Sequence, residues 1–175
     1  DKPAGITSQG VVKKIKWLTR VKKVGHTGTL DPMATGLLPV CLGEATKFSQ
    51  FLLDSDKTYE ATLSLGAQTD TGDQEGQVIH SALVPKLEHS LVVAAMSTLR
   101  GSIMQAPPMY AAIKIDGKKL YEHAREGITI ERAARPITVH EFRLLELIQS
   151  ESETSIRFSA TGSKGTYIRT LGEDL

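Results

Sequence analysis

A single carboxylate, Asp31, stands inside a run of glycines, threonines and prolines: Gly25-His26-Thr27-Gly28-Thr29-Leu30-Asp31-Pro32-Met33-Ala34-Thr35-Gly36-Leu37-Leu38-Pro39. Gly25, Gly28 and Gly36 permit close approaches and backbone angles that side chains forbid. Pro32 fixes the backbone just after the carboxylate and biases Asp31 away from the helical region. Thr27, Thr29 and Thr35 offer hydroxyls to the loop or to a ligand. Such a loop can hold a lone acid in a fixed direction, as nucleophilic or electrostatic catalysis requires. The same residue types also build an ordinary surface turn in which Asp31 bonds only its own backbone.

The elements around this loop are legible from periodicity. Ser8 can cap a helix through about Arg20 with Val11, Val12, Ile15 and Leu18 on one face. Glu44 to Leu53 reads as a short helix. Thr58 to Leu65 alternates as a strand, with Tyr59, Ala61, Leu63 and Leu65 on one side. Gly66 to Gln77 is polar and turn-rich and reads as a loop. Pro85 to Arg100 reads as an amphipathic helix with Leu87, Leu91, Ala94, Ala95 and Leu99 inward, ended by Gly101. From Ser102 to Arg135 the pattern weakens, Pro107-Pro108 interrupts regular structure, and Lys118 to Gly127 looks like a short helix on an insertion. Pro136 to Gln149 and Thr154 to Ala160 read as strands, and Thr166 starts a last helix. Strands and helices do not alternate regularly, which predicts an α+β fold with a mostly antiparallel sheet and flanking helices.

The 175 residues suffice for one well-buried core, and 40% hydrophobic with 23% charged content is ordinary globular usage. No apolar run approaches a membrane span. Cys41 is the only cysteine, so no intrachain disulfide forms; its apolar neighbours predict a buried thiol, and a reducing cytoplasm suits the chain. The five histidines show no metal spacing and no glycine pattern matches a nucleotide loop, so neither metal nor organic cofactor is expected. The net charge of +1 conceals a basic block: seven Lys or Arg and no acid lie between Lys2 and Leu30. A second basic segment, Lys114 to Arg135, carries six cations against four acids. Each alone reads as a solvated face; together, flanking an acid-bearing loop, they suit an RNA-sized groove.

Gly25 to Lys47 closely resembles the catalytic motif of the TruB family of tRNA pseudouridine synthases. Four further segments resemble the family in the same order: Asp1-Lys2-Pro3-Ala4-Gly5-Ile6-Thr7-Ser8; Lys57-Thr58-Tyr59-Glu60 with Thr69-Asp70-Thr71-Gly72-Asp73; Gln105-Ala106-Pro107-Pro108 through Arg125; and Lys164-Gly165-Thr166-Tyr167-Ile168-Arg169. The resemblance covers almost the whole chain and implies an isomerase that converts uridine to pseudouridine at position 55 in the T loop of tRNA. It implies the α+β pseudouridine synthase fold, with a cleft across the sheet and an RNA-clasping insertion at about 102–135. The expected partner is the tRNA T stem-loop, met by a monomer without guide RNA and away from any membrane.

The resemblance also assigns roles. Asp31 takes the nucleophile position; attack at C1′, addition to C6 and removal of a C2′ proton all remain open. Arg169 takes the active-site arginine position, where a guanidinium would oppose the pKa rise that burial gives Asp31; pattern alone makes it a helix-surface arginine. Tyr59 would lay its ring on the flipped uracil, where stacking contributes about 1–3 kcal/mol, and Tyr167 would be a second substrate contact. Both tyrosines read as core residues on pattern alone. His26 would fill the space the extruded base leaves, instead of bonding its own loop. Lys2 and Pro3 would pack beneath the active site in a supporting role, and Lys114, Lys118, Lys119 and Arg125 would meet phosphates. The first strand and C-terminal RNA-binding domain usual in the family are not in these 175 residues, which reads as a truncation at both ends. A non-catalytic RNA-binding module of the same fold is the alternative. An aspartyl phosphotransferase, suggested by Thr27-Gly28-Thr29-Leu30, would need its Asp at position 25, which is Gly.

Overall fold

The computed structural model describes residues 1–115 and 117–175; Asp116, one acid of the second basic segment, lies outside them. The chain divides into two compact units, Asp1–Ser55 and Asp56–Leu175.

In the first unit, α1 runs over Ser8–Thr19. Its cap is Thr7 and not Ser8: the Thr7 hydroxyl accepts the Gly10 N–H at 2.9 Å. Arg20 ends the helix in the left-handed region, at φ 56°. The short strands β1 (Val24–His26) and β2 (Val40–Leu42) pair antiparallel, with Gly25 opposite Cys41 and His26 opposite Val40. That pairing closes the base of the loop bearing Asp31. Cys41 is half-buried, not buried, because a two-stranded ribbon leaves its faces partly open. The expected single helix from Glu44 splits into a 3-10 turn at Gly43–Phe48 and α2 at Ser49–Leu53.

The second unit is built on β3 (Lys57–Ser64), followed by the hairpin β4 (Ala67–Thr69) and β5 (Val78–Ser81), then α3 (His89–Thr98) and β6 (Gly101–Gln105). The insertion holds a hairpin of β7 (Lys114–Ile115) and β8 (Lys118–Lys119) with α4 (Leu120–Arg125). Two long strands, β9 (Arg135–Gln149) and β10 (Thr154–Gly162), precede α5 (Ile168–Glu173). β3, β10, β9 and β6 form one four-stranded sheet in that order, antiparallel at every step. This is the α+β architecture with a central antiparallel sheet and flanking helices that the sequence implies.

The alternation in β3 holds: Tyr59, Ala61 and Leu63 are half-buried while Thr58, Glu60 and Thr62 are exposed. The core of this unit joins Val92 and Met96 of α3 to Ile137, Val139, Phe142, Ile156, Phe158 and Ala160 of the sheet and Leu171 of α5. Phe142 and Phe158 meet edge-to-face with centroids 5.1 Å apart, the arrangement the ring quadrupoles favour. In α3 the buried stripe is Val92 and Met96, whereas Leu91 and Ala94 are exposed. Leu91 to Met96 is apolar throughout, so periodicity leaves the phase of this helix open. Among the described residues no helix is long and apolar enough to cross a membrane.

Candidate active site

The first unit fixes the Asp31 loop from both sides. The Ser8 hydroxyl accepts the Leu30 N–H at 2.9 Å and donates to the Leu30 carbonyl at 3.1 Å, so one buried side chain holds both polar groups of the residue before Asp31. The residue after it is held too: the Pro32 carbonyl accepts from Lys2 Nζ at 3.0 Å and from the Gly5 N–H at 2.9 Å. Lys2 is 1% exposed, and its ammonium also donates to the Pro3 and Ile6 carbonyls at 3.0 and 2.8 Å. Its backbone forms a two-bond bridge with Gly36, which adopts φ +117°. Residues 1–8 therefore grip the loop at 30, 32 and 36, and Asp31, half-buried, projects from a segment with little freedom. Pro3 is exposed beside the buried lysine. His26 ends β1, and its Nδ1 accepts the Gly28 N–H at a long 3.4 Å, so its imidazole is held by its own loop. Thr27, 1% exposed, donates its backbone N–H to the Pro39 carbonyl at 3.2 Å.

The second unit collects Tyr59, Tyr167 and Arg169. Arg169 lies in the first turn of α5, and its side chain is 13% exposed, unlike a helix-surface arginine. It donates to the Thr71 carbonyl at 2.7 Å and to the Tyr110 carbonyl at 2.8 Å. The Asp73 carboxylate, 11% exposed, lies 3.7 Å away. One guanidinium thus ties α5 to two loops and keeps a charge partner in a mostly dry place, where removing either member leaves an uncompensated charge. Asp73 is oriented in turn by the Thr71 hydroxyl at 2.6 Å and the Glu75 N–H at 3.0 Å. Tyr167 immediately precedes α5, and Tyr59 sits opposite Ala160 in the register of β3 with β10.

In the insertion, Tyr121 is flanked by Lys119 Nζ at 5.2 Å and by the Arg125 guanidinium at 5.3 Å from its ring centroid, within cation–π range. Lys114 is exposed. Lys118 pairs with Glu126, and that hydrogen bond and charge hold the Glu126 carboxyl below the usual carboxylate range. Leu120, fully buried, anchors α4 through its N–H to the Ile113 carbonyl at 2.8 Å.

Ser8, Asp73 and Gln105 lie in segments that the sequence singles out, but their positioning roles are not legible there. Gln105 is 3% exposed and pairs with the Tyr167 backbone as a strand would, accepting the N–H at 2.7 Å and donating to the carbonyl at 3.1 Å. Its partner lies 62 residues away, beyond any local pattern. Gln105→Leu keeps the volume and removes both bonds. It is expected to lower stability by about 2 kcal/mol or more, read as a shift of the urea midpoint at unchanged slope; an unmoved midpoint would show that the Tyr167 backbone finds other partners.

Comparison with known proteins places the chain. Residues 16–168 match the sequence profile of the TruB family pseudouridylate synthase N-terminal domain. Over all 175 residues the chain is 53% identical to tRNA pseudouridine synthase B of Hydrogenovibrio crunogenus, covering 56% of that protein. It is 57% identical to the protein of the same name from Aromatoleum aromaticum, covering 55% of it. The chain belongs to the TruB family. It spans about half the length of the curated relatives it matches. Among solved structures it is similar to one in a crystal of a Cbf5-Nop10-Gar1 complex, at 30% identity and a TM-score of 0.67, covering 98% of this chain and 40% of that one. It is also similar to one in an H/ACA RNP bound to a substrate RNA containing 2′-deoxyuridine, at 28% identity and a TM-score of 0.66, covering 98% of this chain and 39% of that one. These neighbours share the pseudouridine synthase fold with this chain.

Proposed function

We propose that this protein isomerises uridine to pseudouridine at position 55 in the T loop of tRNA. The observation that carries the reading is identity of 53–57%, over every residue of the chain, to relatives named tRNA pseudouridine synthase B. The reaction breaks the C1′–N1 bond, turns the uracil and joins C5 to C1′. The C5 proton is lost and the freed N1 takes one up, so the product is an isomer and no electron donor or acceptor is consumed. Asp31 acts as the nucleophile or charge-bearing carboxylate, and the grip of residues 1–8 on the loop supports that role because an acid aimed before substrate arrives avoids reorganisation during reaction.

A uridine inside folded tRNA has to be extruded, at a cost of a few kcal/mol. His26, although its Nδ1 accepts the Gly28 N–H of its own loop, presents its ring to the space the base vacates; Tyr59 stacks on the uracil, and Tyr167 makes a second contact. Arg169 takes the active-site arginine position, its guanidinium held by the Thr71 and Tyr110 carbonyls beside the Asp73 carboxylate. Lys114, Lys118, Lys119 and Arg125 meet phosphates of the T arm, and Lys118 exchanges Glu126 for a phosphate on binding. The insertion is long enough to read the arm by shape, which supports recognition of tRNA without guide RNA; a monomer acting in the cytoplasm completes the proposal.

The test is release of tritium from a tRNA transcript labelled at uridine C5, with the full-length protein. Stoichiometric release from the T loop is the expected result. A folded protein that binds the transcript and releases no tritium would overturn the enzymatic reading and leave an RNA-binding module.

A further inference from the structure

The basic block ahead of the Asp31 loop has no place in the chemistry above, yet its layout on α1 is specific. Lys13, Lys16 and Arg20 follow one another at three- and four-residue steps, so they project from one side of the helix and its C-terminal cap, all exposed. Trp17, four residues after Lys13, stands between them with 77% of its surface exposed. Lys16, Trp17, Leu18 and Arg20 line one shallow depression. Val12 is the buried anchor that fixes this orientation. No acid occurs from Lys2 to Leu30, and among the described residues Lys13, Lys16 and Arg20 form no ion pair.

A large exposed indole beside exposed Leu18 and unneutralised Lys16 and Arg20 matches what polynucleotide surfaces use: cations take phosphates, and a flat ring takes the face of an unpaired base. A solvated helix face explains the lysines but not the tryptophan. We infer that this stripe of α1 is a second RNA-contacting surface, in which Lys13, Lys16 and Arg20 bind tRNA phosphates and Trp17 stacks on an unpaired base. The inference rests on the tRNA reading and adds to it a contact made by residues outside both the proposed catalytic set and the insertion. Its contribution is affinity alone, since none of these residues belongs to the proposed catalytic set.

The experiment compares the full-length protein with two variants, Lys13→Gln/Lys16→Gln/Arg20→Gln and Trp17→Ala, on unmodified tRNA transcript across a salt series. Gln keeps good helix propensity, so the triple variant should retain α1. The slope of log affinity against log salt is expected to fall by roughly 2 to 3 in the triple variant. Trp17→Ala is expected to weaken binding roughly 5- to 150-fold with the slope unchanged. Both should raise KM for tRNA and leave kcat at saturating tRNA as in the parent. A parent that binds and turns over tRNA, with variants matching its affinity and slope, would overturn this surface and leave the enzymatic reading standing. A parent that binds no tRNA would overturn both.

Discussion

Asp31→Asn is expected to abolish tritium release, by on the order of 10⁴-fold or more, while tRNA affinity stays within about threefold of the parent. The substitution is nearly isosteric. The loop's course is set by the bonds of Lys2, Gly5 and Ser8 to positions 30, 32 and 36 and by the β1–β2 pairing. An amide in the same place is neither a nucleophile nor a charge for a developing cation at C1′, so turnover should fail at the chemical step while binding persists. Single-turnover release with enzyme in excess separates the two. A variant that keeps more than about a hundredth of the parent's rate constant would remove Asp31 from the nucleophile role.

The second large effect is expected at Lys2→Met. The methionine retains the apolar stem of the lysine, but the carbonyls of Pro3, Ile6 and Pro32 lose an ammonium that now donates to all three from a site closed to water. Hydrogen bonds to a charged group contribute about 1.5–3 kcal/mol each, and the Pro32 carbonyl keeps a second donor in Gly5, so a net loss of about 3–5 kcal/mol is expected. Hydrogen exchange reads it directly. The amides of Gly5 and Gly36, which bond across the loop, should lose protection, whereas those in the β9–β10 ladder should keep it. Unchanged protection at Gly5 and Gly36 would show that the loop is held without the ammonium.

The parts that sequence revealed are those whose cause is local. Tyr59, Ala61 and Leu63 share a face because a strand has period two, and a half-buried sheet edge writes that period into the residues. The tight turn around Asp31 is legible through the glycines and prolines it requires, while the carboxylate's role comes only with the family resemblance. The misreadings fall where the cause lies elsewhere in the chain. Thr7 and Ser8 are both competent caps, and what decides between them is Leu30, 22 residues on, which takes the Ser8 hydroxyl and leaves Thr7 to the helix. Leu91 and Val92 are equally apolar, and only the sheet beneath α3 selects Val92. The hairpin of β4 and β5 hides in a polar stretch because most of its residues stay exposed and carry no hydrophobic alternation. Arg169 and Gln105 look like solvent-facing polar residues until their loop partners, 59 to 98 residues away, are brought to them.

The two units also differ in how far along the chain their bonds reach. In the first, the Asp31 loop is gripped from residues 1–8, and the longest of these bonds, Lys2 to Gly36, closes as soon as residue 36 is free to fold. In the second, β3 finds its sheet partner only in β10, so Lys57 waits for Gly162, and Arg169 closes the loops at Thr71 and Tyr110 later still. On a ribosome that delivers the chain from its N-terminus, the carboxylate-bearing loop can order early. The β3 edge stays unpaired while about a hundred further residues are made. That interval, with a strand of exposed hydrogen-bonding groups and half its face apolar, is when this protein is most open to mispairing, and it ends with the emergence of β10.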